Sequence, residues 1–273
     1  MCYLATIAPF GFPDLDPSAL LPLYRQLGCR AAQYYRNPLD PPDLAEARRL
    51  VEDLGLPFDS LHGLFGPDLD PSSPDEAIRR RAIETYRREG QLALEAGGPA
   101  VIVHPAPMVG ATDPSDASKT AGRLGALETS LVELAGVGRE QGVTYLLENV
   151  PGNYYFGHDV AQMAGLVRQL DEPFVRMCFD TGHAHMMGVS AAALSDCLDV
   201  ATYVHVTDND GRADSHRVPG HGTLPWEELA PVMTKLPAQT PAMLELFESP
   251  QSLAGLIADG LAHHLSNWLA LGM

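Results

Sequence analysis

The chain has 273 residues, 45% of them hydrophobic, and its 18 Lys and Arg against 35 Asp and Glu give a formal net charge of −17. A negative field of this size repels nucleic acid and anionic membranes, so we expect neither as a partner. No apolar run approaches ~18 residues, and the start shows no pattern of a signal peptide. The four cysteines form no C-x-x-C pair, and we expect reduced thiols in a cytoplasmic protein.

Short apolar, β-favouring runs alternate with longer helical patterns along the chain. The predicted strands cover residues 2–7, 30–35, 58–62, 100–103, 143–147, 175–179, 201–204 and 241–244. The first of them is expected to stop at Ala8–Pro9. The predicted helices cover residues 17–27, 43–54, 74–96 with Ser73 as the cap, 118–141, 159–170, 190–197, 226–236 and 251–271.

Eight strand-then-helix units predict parallel strands joined by right-handed crossovers. Eight such units can close a (β/α)8 TIM barrel, a fold that typically takes about 250 residues. We therefore predict an α/β barrel that forms a single domain over residues 1–273. An open, doubly wound sheet is the alternative, although no Gly-rich phosphate loop follows the first strand.

Six of the apolar runs end in a residue type that binds metals. Active sites of such barrels lie at the carboxyl ends of the strands, so these residues are expected on one ring. The last four strands supply three carboxylates and an imidazole, which suit Mn²⁺ or Zn²⁺, with Mg²⁺ and Co²⁺ possible. Each of these residues could instead have a structural role, in a salt bridge, as a turn cap or in a hydrogen bond to a backbone carbonyl. The predicted ligands are Glu148, Asp180, His205 and Glu245.

A second group of polar residues accompanies the predicted ligands. Asp214–Ser215–His216 has the alternating spacing that lets both outer side chains face the same way in an extended loop. Such residues either bind a substrate or hold an additional metal, so the number of metals is left open. The group comprises His62, His104, His183, Asp214 and His216.

Several segments around these residues resemble the signature of xylose isomerase-like barrels. This superfamily includes sugar phosphate isomerase/epimerase-like proteins, ketose 3-epimerases, inosose dehydratases and the endonuclease IV nucleases. The resemblance covers most of the chain, and it is more specific for the fold and the metal site than for a substrate. The segments are residues 148–149, 178–183, 205–209, 219–226 and 244–245.

The resemblance implies roles for individual residues. In ketose epimerases, the residues matching the four predicted ligands hold one divalent metal, and the two that match Glu148 and Glu245 also move protons on opposite faces of the substrate carbon. The residue matching His183 contacts a substrate oxygen. His216 stands where those epimerases have an Arg, and the Asp214-x-His216 arrangement is similar to endonuclease IV, in which the residues matching all nine positions bind three zinc ions.

Two classes of function follow. The first is a divalent-metal-dependent sugar (phosphate) isomerase or epimerase, or a related lyase, acting on a small polyhydroxylated carbonyl compound through an enediolate. The second is an endonuclease IV-like, multi-metal phosphoesterase that acts at abasic sites. The strand-end loops are acidic, and Arg212 and Arg217 are the nearby cations, which favours the first class. A barrel that binds metal without catalysis, and assembly as a homo-oligomer, also stay open.

Overall fold

The protein is described by a computed structural model that covers residues 2–108 and 122–268. Its strands are β1 (Tyr3–Phe10), β2 (Ala31–Arg36), β3 (Phe58–His62), β4 (Ala100–Val103), β5 (Thr144–Glu148), β6 (Val175–Asp180), β7 (Ala201–Val206) and β8 (Pro241–Leu244). All pairings are parallel and follow chain order, and β1 also pairs with β8, so the sheet is a closed barrel. The predicted (β/α)8 TIM barrel is confirmed, and the open sheet is excluded.

Helices cover the outside of the barrel and connect successive strands. Those in the described residues are α1 (Pro17–Gln26), α2 (Leu44–Asp53), α3 (Glu76–Ala96), α4 (Arg123–Gln141), α5 (Val160–Leu170), α6 (Thr181–Met186), α7 (Ser190–Cys197), α8 (Trp226–Met233), α9 (Pro250–Ala258) and α10 (Leu261–Trp268). None of these helices is both long and apolar enough to cross a membrane.

Two apolar clusters stabilise this arrangement. The larger one fills the layer between the strands and the surrounding helices. The smaller one lies inside the barrel and includes Ile7, Ile102, Cys178 and Met243, all of them fully buried. Because alternate residues of a strand face opposite sides of the sheet, seven strands contribute to both clusters, and β3 contributes to the larger one alone. Polar side chains gather beyond this apolar cluster, at the carboxyl-terminal end of the barrel.

The first strand is longer than predicted. It continues through Pro9 to Phe10, and Pro9 pairs with Tyr35 of β2. On its other side β1 pairs with β8 only as far as Thr6. Proline lacks a backbone N–H, and it is tolerated here because the second half of β1 has a strand on one side alone.

Other predicted boundaries differ as well. The third helix begins at Glu76, and its cap is Asp75, whose carboxylate accepts a hydrogen bond from the Ala77 N–H, so the prediction of Ser73 as the cap was wrong. The eighth helix ends at Met233 rather than 236. The segment predicted as one last helix forms two helices, α9 and α10, because Gly260 has a φ of 95° that interrupts it. Residues 118–121 and 269–271 of the predicted helices lie outside the described residues.

Candidate metal centre

All nine predicted site residues lie together at the carboxyl-terminal end of the barrel. Seven of them are buried, with at most 5% of their surface accessible. The other two follow β7 in a long loop, where the Asp214 side chain is 29% accessible and that of His216 is 12% accessible. The side chains of Glu148, Asp180, His205 and Glu245 each offer a ligand atom, and these atoms lie within 4.8 Å of one another.

Strand register brings the four together. Glu148 and Asp180 are the last residues of β5 and β6, and Asp180 pairs with His205 of β7. Glu245 follows β8 directly, one residue beyond the pair formed by Val206 and Leu244. The four side chains therefore come from successive strands at the same level of the barrel, as the sequence predicts.

The imidazole of His205 lies between two carboxylates. Its Nδ1 atom is 2.8 Å from Glu148 Oε1 and 3.0 Å from Glu245 Oε2. Asp180 Oδ2 is 4.0 Å from the same nitrogen. Three carboxylates packed this closely repel one another unless a cation or a proton compensates them.

Asp180 uses its two oxygens differently. Oδ1 accepts a hydrogen bond of 2.6 Å from the His183 N–H and so caps α6. Oδ2 is buried and has no hydrogen-bond partner among the described residues. One oxygen of Asp180 therefore acts as a cap, as the plainer alternative predicts, while the other remains available to a cation. The short helix α6 itself is not predicted from the sequence, although its cap residue is.

Glu148 also lies close to two further imidazoles, those of His104 and His62. Its Oε2 atom is 3.0 Å from His104 Nε2 and 3.9 Å from His62 Nε2. The ligand atoms of these three residues again lie within 4.8 Å of one another. Burial lowers the pKa of His62 to about 4, so its ring is neutral near pH 7 and offers a lone pair.

A third group forms around Asp214, whose Oδ2 atom is 3.2 Å from the Nε2 atoms of both His183 and His216. Each imidazole uses its Nδ1 atom on a backbone carbonyl, that of Asn149 for His183 and that of Glu245 for His216. A carbonyl only accepts hydrogen bonds, so both Nδ1 atoms carry protons and the Nε2 atoms face Asp214. Glu148 thus belongs both to the central group of four ligands and to the group with His62 and His104. The group around Asp214 adjoins them through His183, whose Nδ1 atom lies 3.7 Å from Glu148 Oε1.

Asp208 holds the loop that carries this third group. Its Oδ1 atom accepts hydrogen bonds from the N–H groups of Asn209 and Leu224, and its Oδ2 atom accepts from the N–H of Gly220 and the indole N–H of Trp226. These four bonds tie both ends of the loop to a carboxylate that is fully buried. Asp208 lies in the signature segment 205–209, but its anchoring role is not predicted from the sequence, because that role depends on contacts with residues 12 to 18 positions further along the chain.

The carboxylates of the cluster differ in their affinity for protons. Burial raises the pKa of Asp180, Glu148 and Glu245 raise it further, and it reaches about 7 despite the opposing His183. Burial also raises the pKa of Glu245, but His205 and His216 outweigh that effect and hold it at about 2. Glu245 is therefore ionised at neutral pH, whereas Asp180 ionises fully only when a cation compensates it.

The imidazoles near Asp214 are held in the charged form. Burial lowers the pKa of His183, but the carboxylates of Asp180 and Asp214 outweigh it and raise that pKa to about 10. Burial likewise opposes charge on His216, yet Asp214 and Glu245 raise its pKa to about 9. Without a metal, these two imidazolium groups partly neutralise the acidic cluster.

A cavity of about 180 Å³ opens onto these groups. Aromatic residues that the sequence analysis did not select line its walls: Tyr35, Phe65, Tyr154 and Phe247. The Phe65 ring stacks on His104 at 4.5 Å between centroids, and Phe247 lies 4.5 Å from His216. Cavities of about 350 and 370 Å³ flank α6 and α7, but they contain none of the nine residues. The chemistry of the side chains therefore selects the smaller cavity as the site.

The donor set fits a divalent cation. The four central side chains offer oxygen and nitrogen ligands within one coordination sphere, and the buried Asp180 Oδ2 atom has no protein partner in the described residues. Hard oxygen ligands with one imidazole are the set preferred by Mn²⁺, Mg²⁺ and Zn²⁺ among the common cations.

Comparison with known proteins places the chain in a family. The family model described as a xylose isomerase-like TIM barrel matches residues 21–268. The chain belongs to this family. This xylose isomerase-like barrel is also similar to two uncharacterized proteins of Methanocaldococcus jannaschii. One is 26% identical over 62% of this chain, which spans 57% of that relative, and the other is 24% identical over 68% of this chain and 71% of the relative.

Solved structures with the same fold include several sugar epimerases. A D-tagatose 3-epimerase-like protein superimposes with a TM-score of 0.75 at 18% identity, covering 98% of this barrel and 100% of that chain. An L-ribulose 3-epimerase gives 0.72 at 17% identity, covering 100% and 99%. A 3-keto-D-glucoside 4-epimerase from E. coli gives 0.67 at 19% identity, covering 93% and 99%. At such identities the likeness is one of fold.

Proposed function

We propose that this chain is a divalent-metal-dependent sugar isomerase or epimerase, acting on a small polyhydroxylated carbonyl compound by proton transfer at the carbon beside the carbonyl. One observation carries the proposal: two buried carboxylates, Glu148 and Glu245, lie on either side of one imidazole at the floor of a small cavity. The sugar epimerases that share the fold support the substrate class.

Glu148, Asp180, His205 and Glu245 would hold the cation. A bound Mn²⁺ or Zn²⁺, or alternatively Mg²⁺ or Co²⁺, would act as a Lewis acid that polarises the substrate carbonyl and acidifies the adjacent C–H. The identity of the cation is set by availability as well as by ligand type.

The protein's own groups supply the proton transfer. Glu245 is ionised near neutral pH, since its pKa is held at about 2 against the effect of burial. His205, with His104, holds the pKa of Glu148 well below its usual range, although burial opposes them. Glu148 ends β5 and Glu245 follows β8, so the two carboxylates approach the cavity from different strands. One removes the proton, and the other returns it to the carbon or to the neighbouring oxygen.

The surrounding residues bind and shield the substrate. His183 lines the cavity with its Nε2 atom on Asp214, and it would donate that N–H to a substrate oxygen in exchange for the contact with Asp214. The rings of Phe65, Tyr154 and Phe247 restrict water and offer apolar faces on which the C–H side of a sugar can pack.

Solvent deuterium exchange tests this proposal. Metal-loaded wild-type protein, Glu148→Gln and Glu245→Gln are incubated with a panel of ketopentoses and ketohexoses in D₂O, and exchange is followed by NMR. Glutamine keeps a ligating oxygen but cannot act as a base, so each variant should retain weakened metal binding and lose exchange by about 100-fold or more. Wild-type exchange rates in a metal-loaded Glu245→Gln protein would show that the proposed proton transfer is wrong.

The three adjoining groups of ligands favour a second candidate function. Nine metal-binding side chains are more than a single cation needs, and Glu148 belongs to two of the groups. A multi-metal phosphoesterase, in which clustered cations activate water and stabilise the leaving oxygen, uses such an arrangement. The presence of His216 where the ketose epimerases have an Arg agrees with this candidate, and the net charge of −17 opposes it.

A further inference from the structure

A chain of buried polar side chains runs from His205 into the interior of the barrel. The Gln33 amide, on β2, lies 3.2 Å from His205 Nε2 and 3.2 Å from Ser60 Oγ. Ser60 Oγ lies 2.7 Å from Asp59 Oδ1 and 2.9 Å from the Tyr203 hydroxyl. The side chains of Gln33 and His205 are fully buried. This chain of contacts thus reaches the imidazole through the nitrogen that the carboxylates do not contact.

The geometry assigns different tasks to the two nitrogens of His205. Nδ1 faces Glu148 and Glu245, so a cation held with these carboxylates would bind at Nδ1. A neutral imidazole with its lone pair at Nδ1 carries its proton at Nε2, and that proton needs an acceptor. Histidine ligands of metals almost always donate this second N–H to a neighbouring oxygen.

Gln33 can supply that oxygen. In the structure its amide nitrogen faces His205, while its Oε1 atom is buried without a hydrogen-bond partner among the described residues. The oxygen and nitrogen of an amide occupy nearly equivalent places, and a half-turn of the group exchanges them. After that half-turn, Oε1 lies beside His205 Nε2 and Ser60 Oγ. The single hydroxyl proton of Ser60 then turns from Asp59 Oδ1, to which the Tyr203 hydroxyl still donates, toward the Gln33 oxygen.

We propose that Gln33 is a positioning residue for metal binding, whose amide oxygen accepts the Nε2 proton of His205 and so keeps Nδ1 unprotonated for the cation. This inference rests on the proposed function only in that a metal binds at His205.

The thiol of Cys178 is the other group close to His205 that must be considered. It is buried, and its sulfur lies within 4.8 Å of ligand atoms of Glu148 and His205. A thiol is a weak hydrogen-bond acceptor, whereas an amide oxygen is a strong one. Cys178 therefore provides a matched control, since it also lies beside His205 but is not expected to set the tautomer.

The test measures Zn²⁺ affinity and the tautomer of His205, neither of which needs a substrate. Protein with ¹⁵N-labelled histidine is examined by NMR with and without Zn²⁺, and the His205 signals are assigned by their loss in His205→Gln. Wild-type protein should show Nε2–H when loaded with Zn²⁺. Gln33→Met, which has a similar shape but no acceptor, should bind Zn²⁺ about 10- to 100-fold more weakly.

Two further variants separate hydrogen bonding from packing. Gln33→Glu retains an acceptor, so its Zn²⁺-loaded form should keep the Nε2–H tautomer, and Cys178→Ala should match the wild type in both measurements. Should Gln33→Met not fold, Ser60→Ala, which removes the contact that anchors the amide, should weaken Zn²⁺ binding in the same direction.

The outcomes distinguish this inference from the proposed function. Wild-type affinity and tautomer in Gln33→Met, or in Ser60→Ala where that variant replaces it, would overturn the role of Gln33 alone. A loss of Zn²⁺ binding in Cys178→Ala, with Gln33→Met unchanged, would assign the role to the thiol. A wild-type protein that binds no Zn²⁺ would overturn both this inference and the metal dependence of the proposed function.

Discussion

Within the cluster, carboxylates with the same chemistry serve different purposes because their surroundings differ. The Asp180 carboxylate shapes the backbone with one oxygen and leaves the other without a partner in the described protein. Glu89 on α3 is also buried and also leaves one oxygen, Oε2, without a partner in the described protein, but its Oε1 atom is 2.7 Å from Arg36, which compensates its charge. Burial of a carboxylate is therefore costly in the first case and compensated in the second.

This contrast predicts which substitutions remove the metal. Glu148→Ala and Asp180→Ala should each weaken binding of Mn²⁺ or Zn²⁺ by about 100-fold or more, because each takes away a ligand atom within the 4.8 Å cluster. Glu89→Gln should leave metal content unchanged, although it weakens an ion pair. Elemental analysis of the purified proteins measures this, and full metal content in both alanine variants would contradict the ligand assignment.

The imidazoles around Asp214 predict a pH dependence of stability in the metal-free protein. The pKa of His216 is raised to about 9 and that of His183 to about 10, both above the unfolded value of about 6.5. A group whose pKa is raised on folding stabilises the protein fully below its unfolded pKa, and this contribution is lost as the pH rises through the folded pKa. The stabilisation should therefore decline between pH 6.5 and about 10.

Asp214→Asn isolates this effect, since it removes the charge that faces both imidazoles. Urea unfolding of chelator-treated wild-type and variant protein should show a stability difference that is largest near pH 6.5 and shrinks toward pH 10. Other titrating groups are common to both proteins and cancel in the comparison. A difference that stays constant over this range would show that the imidazoles are not held in the charged form by Asp214.

Sequence alone predicts strand-end residues well and interior ones poorly. Asp180 stands at the end of an apolar run, so both its residue type and its position predict a functional site. Gln33 lies within a strand whose residues alternate, with Ala31 on the inner side of the barrel and Ala32 and Tyr34 toward the helices. This alternation places Gln33 inside the barrel, but it does not reveal the contact with His205, because that contact joins strands far apart in the sequence.

Among the elements, the loop between β7 and α8 shows how structure is fixed without regular pairing. An antiparallel bridge joins Asp208 to Arg217, and the Asp208 carboxylate binds N–H groups from both ends of the loop. Gly222 must remain a glycine, since a Cβ atom there would lie 2.2 Å from the backbone oxygen of Asn209. The polar composition of this loop predicts a connection, but the anchoring role of one aspartate follows only from its contacts.

Asp208→Ala should consequently weaken both stability and the third ligand group. Four donors would lose a buried charged acceptor, which costs about 3 kcal/mol or more. His216 should become more mobile, and any metal bound with it should be lost before that at Glu148. Asp210→Ala, an exposed aspartate of the same loop, should change little. Chemical unfolding and metal titration measure both effects, and equal behaviour of the two variants would argue against the anchoring role.

For the whole molecule, closure of the sheet is what assembles the site. Glu148 and Glu245 are far apart in the sequence, yet both lie within about 3 Å of one nitrogen because β5 to β8 are adjacent in the barrel. The count of eight strand-then-helix units predicts this closure, since parallel strands follow chain order. The group around Asp214 lies next to Glu148 because the loop after β7 folds back over the end of the barrel. The spacing of residues in the sequence does not predict this folding of the loop.

Net charge distinguishes the two candidate functions at this scale. A protein that binds abasic DNA needs cations near its site to contact phosphates, and non-specific affinity rises with the number of such contacts. Here the formal charge is −17, and the loop beside the cavity carries Asp210 and Asp214 with exposed Arg212 and Arg217. Two arginines offset part of the local charge but not the field of the whole protein.

We therefore expect weak binding to an abasic-site duplex at moderate salt, and no efficient incision, by protein loaded with Zn²⁺ or Mn²⁺. Binding is measured by fluorescence anisotropy over a range of salt concentrations, and incision by gel electrophoresis, beside the ketose exchange reaction. Glu148→Ala is the control for a contaminating nuclease, because it removes the residue shared by two ligand groups. Tight binding with incision that disappears in Glu148→Ala would establish the phosphoesterase in place of the sugar enzyme, since the clustered metals would then outweigh the negative field.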